Sequence, residues 1–466
     1  MIAKELLDPK SIVVVGACDD TRKPGGKVLY HLLNSPFKGQ IYGVNPKETE
    51  AQGIKCYSKV EDLPQVDCAV LVIAAKYCPS TVDVLALQKG TKGFIVLSAG
   101  FSELNEEGAA YEKHIIDTIN SVGGSLVGPN CCGFTNRNYC AFFTEPAPVS
   151  KPHGIELISS SGSMIVLFLE ENINSGLTYN SVWSVGNANQ TGVEDVLEHL
   201  DETFDPETSS RVILFYLEKI RNQEKLVKHA RSLINKGCRI AGIKSGGTVA
   251  GRRAVMAHTG SEPLPDDIVC DLFRKAGIVR CQDRLELATV GGILMCPEVK
   301  GKNVAVITTA GGPAIMLTDF LCSNGMDVPL IEGPKAQELL GKLLNGSSVS
   351  NPIDFLATGS AEQLGIVIDA VENDFDNIDC MCVIYGSPGL IPIFEAYKVL
   401  DEKMKTCKKP IFPILGSIVN AKEEVEDFVH NKHHINFVNE RLFGNALCIV
   451  HNTPKPQPDT DYKIVE

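Results

Sequence analysis

The chain has 466 residues, of which 44% are hydrophobic and 22% are charged, and its formal net charge at pH 7 is −13. This length predicts about three domains, because a single hydrophobic core stops growing well below it. The negative charge argues against a nucleic-acid-binding surface, which needs clustered Lys and Arg. A local basic patch remains compatible with an anionic ligand.

Targeting signals and metal-binding spacings are not evident in the sequence. The N-terminal stretch "MIAKELLDPKSIVVVG" lacks the pattern of a signal peptide. No apolar run approaches the length of about 18 residues that predicts a membrane span. Sixteen cysteines are scattered through apolar segments, and neither Cys131-Cys132 nor the pair Cys380 and Cys382 has a zinc-site spacing. We therefore expect reduced, mostly buried thiols, no metal site, no membrane contact and a cytoplasmic protein.

The first third of the chain alternates short apolar runs with helical segments. Such runs are typical of parallel strands that are buried on both faces of a sheet covered by helices. They predict a doubly wound domain over residues 1–147. The predicted strands are "SIVVVGA", "GQIYGVN", "DCAVLVIAA", "GFIVLSAG" and "GSLVGPN".

The same alternation resumes twice after the Pro-rich segment "EPAPVSKPHG". A second round contains "IELISSSGSM", "SRVILFYLE" and "CRIAGIKSGG", and a third opens at "KNVAVITTAGGPA". The sequence therefore predicts an α/β protein of three consecutive Rossmann-like or flavodoxin-like, doubly wound parallel-sheet domains. The two further domains are expected over 148–300 and 301–455, followed by a flexible tail over 456–466.

The loop after the first strand, "GACDDTRKPGGKV", leads into a predicted helix. Backbone amides at a helix N-terminus suit phosphate, and Lys23, Gly25, Gly26 and Lys27 add charge and permit close approach. The loop is not a G-x-G-x-x-G sequence, and the second strand ends in "VNP" without an acidic residue for a ribose, which argues against a nicotinamide dehydrogenase. Phosphate binding is the favoured interpretation, and a purely structural turn is the alternative.

Three further loops follow predicted strands, where open α/β sheets bind ligands. The segments "AGF" and "GPNCCGFTN" belong to the first sheet and are expected to line one cleft, although each alone could be a simple turn. The segment "SSSGSM" precedes a helix, so its hydroxyls and amides predict an anion cradle. A helix cap without a ligand is the alternative there.

Glu218 and His258 are the candidate reactive pair. Glu218 ends the apolar strand "RVILFYLE", where a carboxylate is costly unless it is paired. It could orient a histidine by accepting one ring N–H, or it could form a surface ion pair with Lys219. His258 is the histidine predicted to lie in a loop of small residues near cations and anion-binding loops, where reactive groups cluster. A polar residue in a glycine-rich turn is the alternative interpretation.

The chain resembles the alpha subunits of NDP-forming acyl-CoA synthetases, especially the ADP-forming acetyl-CoA synthetases, which are relatives of succinyl-CoA synthetase. The resemblance covers roughly the whole chain and lies in segments that occur in the family's order. These are "PGGKV", "VNPK", "AGF", "GPNCCGFTN", "SSSG", "SVGN", "FYLE", "GRRAVMAHTG", "FRKAGIVR", "TTAGGP" and "NPID".

The resemblance implies a ligase that converts acyl-CoA, ADP and phosphate into a carboxylic acid, CoA and ATP, through an acyl phosphate and phosphorylated His258. Glu218 would orient the histidine, and Ser160, Ser161, Gly162 and Ser163 would cradle phosphate. Acetyl-CoA or a related short acyl-CoA is the implied substrate. Coenzyme A would bind in the first domain at Gly16, Ala17, Lys23, Gly25, Gly26, Lys27, Asn45, Pro46, Ala99, Gly100 and Asn130.

The family's nucleotide-binding ATP-grasp module is not evident in this sequence. The resemblance therefore implies a separate ATP-grasp beta subunit that binds Mg²⁺ with ADP or ATP, in an assembly of α2β2 type. The segment "TGSEPLPDD" after His258 departs from the small residues usual in the family, and Ala257 replaces a frequent serine. A non-catalytic CoA-binding regulator is the alternative that this departure leaves open.

Overall fold

The computed structural model describes residues 2–259, 263–387, 389 and 392–457. The chain divides into two compact units. Unit 1 comprises Met1–Glu170, Thr178–Gln282 and Pro454–Glu466, and unit 2 comprises Glu171–Leu177 and Asp283–Thr453. Unit 1 contains two sheets of seven strands, and unit 2 contains a sheet of four strands.

The first sheet of unit 1 has the order β3-β4-β2-β1-β5-β6-β7 and is parallel except for the pair of its first two strands. Alternate residues of its central strand enter different cores, Ile12 and Val14 on one face and Val13 and Val15 on the other. This explains the continuous apolar run, because both faces are covered. The strands are β1 Ser11–Val15, β2 Gln40–Val44, β3 Glu50–Ala51, β4 Ile54–Tyr57, β5 Cys68–Leu71, β6 Gly93–Val96 and β7 Ser125–Val127, and the helices are α1 Lys4–Leu7, α2 Pro24–Leu33, α3 Cys78–Gln88 and α4 Glu106–Ser121.

The second sheet of unit 1 has the order β14-β13-β12-β10-β11-β8-β9. Its first five strands in this order are parallel, and a hairpin extends the sheet in antiparallel fashion. This hairpin, formed by residues 133–142, belongs to the second sheet although it precedes residue 147, the predicted end of the first domain. The strands are β8 Gly133–Thr135, β9 Cys140–Phe142, β10 Ser150–Ser159, β11 Tyr179–Ser184, β12 Val212–Leu217, β13 Arg239–Lys244 and β14 Val279–Arg280, and the helices are α5 Gly162–Glu171, α6 Val193–Glu202, α7 Gln223–Asn235, α8 Val249–Thr259 and α9 Asp266–Ala276.

The sheet of unit 2 is fully parallel, in the order β16-β15-β17-β18. Its central strands consist of buried residues, as expected for strands with helices on both faces. The strands are β15 Val304–Thr308, β16 Ile353–Asp354, β17 Cys380–Ile384 and β18 Ile411–Ile414, and the helices are α10 Arg284–Met295, α11 Gly311–Ser323, α12 Pro334–Leu340, α13 Ala361–Asp374, α14 Phe394–Thr406, α15 Lys422–Glu426 and α16 Glu440–Asn452.

The predicted fold class, α/β with successive parallel-dominated sheets, is confirmed. The boundaries at 147, 300 and 455 stay predictions. Within the predicted tail, the backbone N–H of Gln457 donates to the carbonyl of Lys275 at 3.0 Å, and residues 458–466 lie outside the described residues.

Burial agrees with the expectation of mostly buried cysteines. Twelve of the sixteen cysteines are buried, and burial raises the pKa of the Cys68 thiol to about 12, so that it stays protonated at neutral pH. Within the described ranges, no helix is both long and apolar enough to cross a membrane, and no group of His, Cys, Asp and Glu is arranged to hold a metal ion.

Candidate functional site

The loop between β10 and α5 presents several hydroxyl groups at the carboxyl edge of the second sheet. Ser159 Oγ donates to the carbonyl of Ser161 at 2.8 Å and accepts from its N–H at 3.0 Å, which fixes the turn. Ser160 Oγ is buried and has no hydrogen-bond partner among the described residues. A buried hydroxyl without a partner is uncommon and indicates a site for a polar ligand. Gly162 is required here, because an added Cβ would lie 2.3 Å from Cys132 Sγ.

Glu218 follows β12 directly and is 8% exposed. Its two carboxylate oxygens have different partners, as a buried carboxylate requires. Tyr216 donates its hydroxyl hydrogen to Oε1 at 3.1 Å, and Oε2 lies 2.8 Å from His258 Nδ1. Burial raises the pKa of Tyr216 to about 12, so its hydroxyl remains a donor at neutral pH. The structure therefore pairs Glu218 with His258 rather than with Lys219.

His258 lies in the last turn of α8, so the predicted loop around it is wrong. The glycine-rich segment ends at Gly247, and the following "VAGRRAVMAHT" is rich in Ala, Arg and Met, which favour helix. The side chain is 63% exposed. Because Glu218 contacts Nδ1, Nε2 is the ring nitrogen left to react. Residues 260–262 of the unusual segment after His258 lie outside the described residues, and α9 begins at Asp266.

A cavity joins four of the sequence-predicted site residues. Asn130, Ser160, Glu218 and His258 all line it, although the first three follow strands of the two sheets of unit 1 and His258 belongs to α8. The cavity thus brings together the buried carboxylate of Glu218, the imidazole of His258, the amide of Asn130 and the unpartnered hydroxyl of Ser160. This combination can orient a nucleophilic ring nitrogen beside a group that donates hydrogen bonds to an anion.

The cavity also contains residues that the sequence analysis missed. Glu103 accepts from Asn187 Nδ2 at 2.7 Å and from the backbone N–H of Gly100 at 2.6 Å. Although its burial acts in the opposite direction, these hydrogen bonds lower the pKa of Glu103 below its usual range. Arg221, which also lines the cavity, donates to the carbonyl of Asn189 at 2.8 Å. The segment "SVGN" was the available signal for Asn187, whereas nothing in the sequence distinguished Glu103, which lies in the turn between β6 and α4.

The turn between β1 and α2 is packed too tightly for side chains at its glycines. Gly16 has φ +98°, and an added Cβ would lie 2.5 Å from the carbonyl oxygen of Val72. A Cβ on Gly25 would lie 2.0 Å from the carbonyl oxygen of Gly16, and one on Gly26 would lie 2.3 Å from that of Asp20. The three glycines therefore allow the start of α2 to approach the end of β1 closely. Such an approach leaves backbone amides accessible to a phosphate.

The remaining predicted ligand residues lie in this turn, in α2 or at the carboxyl edge of the first sheet. Asn45 Nδ2 donates to the carbonyl of Ala17 at 2.7 Å, which ties the end of β2 to the turn. Lys23, Pro46 and Ala99 are exposed, whereas Lys27 forms an ion pair of 3.0 Å with Glu145. Among the predicted coenzyme A residues, only Asn130 is one of the described residues that line the His258 cavity.

Two family models match the chain. A model described as a CoA binding domain matches residues 10–137, and one described as a succinyl-CoA ligase like flavodoxin domain matches residues 152–294. The first range contains the β1–α2 turn, and the second contains Ser160, Glu218 and His258.

Curated relatives carry acetate–CoA ligase names. The chain is 29% identical to the alpha subunit of ADP-forming acetate–CoA ligase II of Pyrococcus furiosus, over 84% of this chain and 85% of the relative. It is also 29% identical to the alpha subunit of ADP-forming acetate–CoA ligase I of the same organism, over 91% of this chain and 92% of the relative. It is 30% identical to ADP-forming acetate–CoA ligase I of Archaeoglobus fulgidus over 87% of this chain, but spans only 58% of that relative.

A solved structure matches nearly the full length of the chain. It is acetyl-coenzyme A synthetase 1 of Candidatus Korarchaeum cryptofilum in complex with phosphate and ADP. The TM-score is 0.84 at 25% identity, and the match covers 96% of both chains.

Proposed function

Because the chain belongs to the family of NDP-forming acyl-CoA synthetase alpha subunits, we propose that it binds coenzyme A and carries a phosphoryl group on His258. The observation that carries this proposal is the 2.8 Å contact between Glu218 Oε2 and His258 Nδ1, in the cavity that also contains the unpartnered hydroxyl of Ser160. The reaction is that of an ADP-forming acyl-CoA ligase, with acetyl-CoA or another short acyl-CoA as substrate.

The first step forms an acyl phosphate. A phosphate oxygen attacks the thioester carbonyl, the C–S bond breaks, and the coenzyme A thiolate leaves. The loops at the carboxyl edge of the first sheet, from Gly16 to Lys27 and around Asn45 and Gly100, hold the coenzyme A. The accessible amides at the start of α2 and the charge of Lys23 favour its phosphate groups.

The second step transfers the phosphoryl group to His258. Nε2 attacks the phosphorus, and the carboxylate of the product acid leaves. Glu218 accepts the Nδ1 hydrogen, which holds the ring in the reactive tautomer and stabilises the positive charge that develops on it. The loop from Ser160 to Ser163 and the N-terminus of α5 supply hydrogen-bond donors to the phosphoryl oxygens.

The third step needs a nucleotide site on a partner. ADP attacks the phosphorus of phosphorylated His258, which regenerates the imidazole and forms ATP. We place ADP, ATP and Mg²⁺ on a separate ATP-grasp beta subunit, in an α2β2-type assembly, because two relatives are named alpha subunits. A cytoplasmic location remains our prediction from the buried thiols.

A labelling experiment tests the proposal. The purified chain is incubated with a beta subunit of an ADP-forming acetate–CoA ligase, Mg²⁺ and ATP labelled at the γ-phosphate. We expect an acid-labile, alkali-stable label on this chain that is discharged by ADP. Absence of the label, with coenzyme A binding intact in calorimetry, would instead support the non-catalytic CoA-binding regulator.

Ser160→Ala is expected to slow labelling of His258 about tenfold, because one hydrogen-bond donor to the phosphoryl oxygens is lost. The unfolding temperature should stay the same or rise, since the hydroxyl has no partner among the described residues. Single-turnover labelling and a thermal melt measure the two effects. A drop in unfolding temperature with unchanged labelling would assign Ser160 a purely structural role.

Gly25→Ala is expected to weaken coenzyme A binding by about tenfold or more and to destabilise the fold by about 1–3 kcal/mol. The physical reason is the 2.0 Å approach of the new Cβ to the carbonyl oxygen of Gly16. Calorimetric titration and denaturant unfolding measure these quantities. Gly312→Ala is the matched control, because a Cβ there meets nothing within 4 Å. Unchanged coenzyme A affinity in the Gly25 variant would contradict the assignment of this turn.

A further inference from the structure

A second cavity of unit 1, of about 480 Å³, lies away from the His258 site. Its lining residues include the amino ends of β11 and β12 and the C-terminal end of α6. The His258 cavity, in contrast, lies at the carboxyl ends of the strands. The described residues that line the two cavities do not overlap. We call it the amino-end cavity, and no step of the proposed reaction uses it.

The inner wall of the amino-end cavity is built around a buried carboxyl group. Glu156 of β10 is 3% exposed. It accepts from Asn180 Nδ2 at 2.5 Å and from the hydroxyl of Ser181, which itself accepts from Trp183 Nε1 at 2.6 Å. Burial raises the pKa of Glu156 despite these hydrogen bonds. A polar group placed this deep in a sheet interior is costly, so it indicates a specific role.

Three further polar atoms of this cavity have no hydrogen-bond partner within the described part of the chain. They are Asn180 Oδ1, His199 Nδ1 and Ser210 Oγ, and all three are buried. Asn180 Oδ1 can only accept a hydrogen bond. Burial lowers the pKa of His199, so its ring is neutral at pH 7 and Nδ1 can donate or accept according to the tautomer. The cavity therefore presents Asn180 Oδ1 as a hydrogen-bond acceptor and His199 Nδ1 as a donor or acceptor to a ligand.

The remaining walls favour a flat ring with a negatively charged substituent. Phe204 is half-buried and contributes aromatic surface to the lining, whereas Phe134 and Trp183, which also line the cavity, are 0% and 2% exposed. Arg137, from the turn between β8 and β9, lines the same cavity and is exposed. Aromatic walls with a few converging polar groups are typical of small-molecule sites of this volume. The guanidinium of Arg137 suits a phosphate group at the mouth.

We propose that the amino-end cavity binds a nucleotide whose base carries an exocyclic amino group. The amino group would donate to Asn180 Oδ1, and a ring nitrogen of the base would pair with His199 Nδ1. Phe204 would contact one face of the base, and Arg137 would contact the phosphate. This site is separate from the nucleotide site that the proposed function assigns to the beta subunit, and it does not depend on that assignment.

Calorimetric titration of the full chain with AMP, CMP and UMP tests the proposal. Coenzyme A is left out, because its own adenine nucleotide carries the same amino group, and the titrations are repeated with the Gly25→Ala variant, in which the predicted coenzyme A loops are impaired. We expect AMP or CMP to bind, and UMP, which has a carbonyl in place of the amino group, to bind at least about tenfold more weakly. If neither AMP nor CMP binds at millimolar concentration, or if UMP binds as tightly as the better of the two, the proposal is wrong.

Two variants locate the binding in the cavity. His199→Leu should weaken binding of the preferred nucleotide about tenfold without lowering the unfolding temperature, because the replaced Nδ1 has no partner among described residues. Arg137→Ala should weaken it similarly and leave stability unchanged, because Arg137 is exposed. Arg274→Ala, an exposed arginine of α9 that does not line the cavity, is the matched control. Wild-type affinity in both cavity variants would overturn the proposal.

Discussion

Replacing His258 with alanine is expected to abolish the phosphoryl label on this chain and to lower turnover of the assembled ligase by about 10⁴-fold or more. The reason is that Nε2 of this ring is the atom proposed to form the covalent intermediate, and alanine provides no nucleophile. The side chain is 63% exposed, but its loss leaves Oε2 of the buried Glu218 without its partner, so a modest drop in the unfolding temperature is expected. Single-turnover labelling with γ-labelled ATP measures the loss.

The chain contains a matched control for this substitution. His114 is also exposed and also pairs with a carboxylate, since its Nε2 lies 2.9 Å from Asp83 Oδ1. It is not among the residues that line the His258 cavity. His114→Ala should therefore retain full labelling. Label that persists in His258→Ala, or disappears equally in both variants, would contradict the assignment of His258 as the phosphoryl carrier.

Glu218→Gln is expected to slow phosphorylation of His258 by about 10²-fold or more while coenzyme A affinity stays the same. Glutamine keeps the size of the side chain and can still accept the Nδ1 hydrogen, but it lacks the negative charge. The variant therefore loses the electrostatic stabilisation of the positively charged ring in the transition state. The rate of label formation, measured beside a calorimetric titration with coenzyme A, separates this effect from misfolding.

Asp83→Asn is the control for Glu218, because it removes the charge from another carboxylate–histidine pair of unit 1. Labelling should proceed at the wild-type rate in that variant. Addition of formate to a Glu218→Ala variant offers an independent readout, since a small carboxylate can occupy the vacated space and restore part of the rate. A Glu218→Gln rate within a few-fold of wild type would mean that the contact with His258 is not used in catalysis.

The strands were predictable because burial of both faces of a sheet produces uninterrupted apolar runs in the sequence. β1 and β12 have helices and side chains packed on both faces, and such strands read as uninterrupted apolar runs such as "SIVVV" and "VILFYL". The rule that ligands bind at the carboxyl ends of parallel strands then brought Ser160 and Glu218 to one edge. That rule needs only the order of strands and loops along the chain, not the three-dimensional coordinates.

Other features depend on contacts that the sequence does not encode locally. The hairpin β8–β9 was not distinguishable from a loop of the first sheet, because its pairing with β11 is set by packing across a long stretch of intervening chain. His258 was expected in a loop because the glycines upstream outweighed the helix-forming residues around it. Glu156 gave no signal either, since a single acidic residue in an apolar strand is read as a solvent-facing position.

The exposure of His258 has a consequence for the lifetime of its proposed phosphorylated form. With nearly two thirds of the side chain accessible to solvent, water could reach a phosphoryl group on Nε2 as readily as a nucleotide could. The proposed intermediate survives only if ADP reacts with it faster than water does, so a partner surface that covers the ring would lengthen its lifetime. On the proposed mechanism, the yield of ATP per thioester consumed then depends on how long His258 stays uncovered as well as on its contact with Glu218.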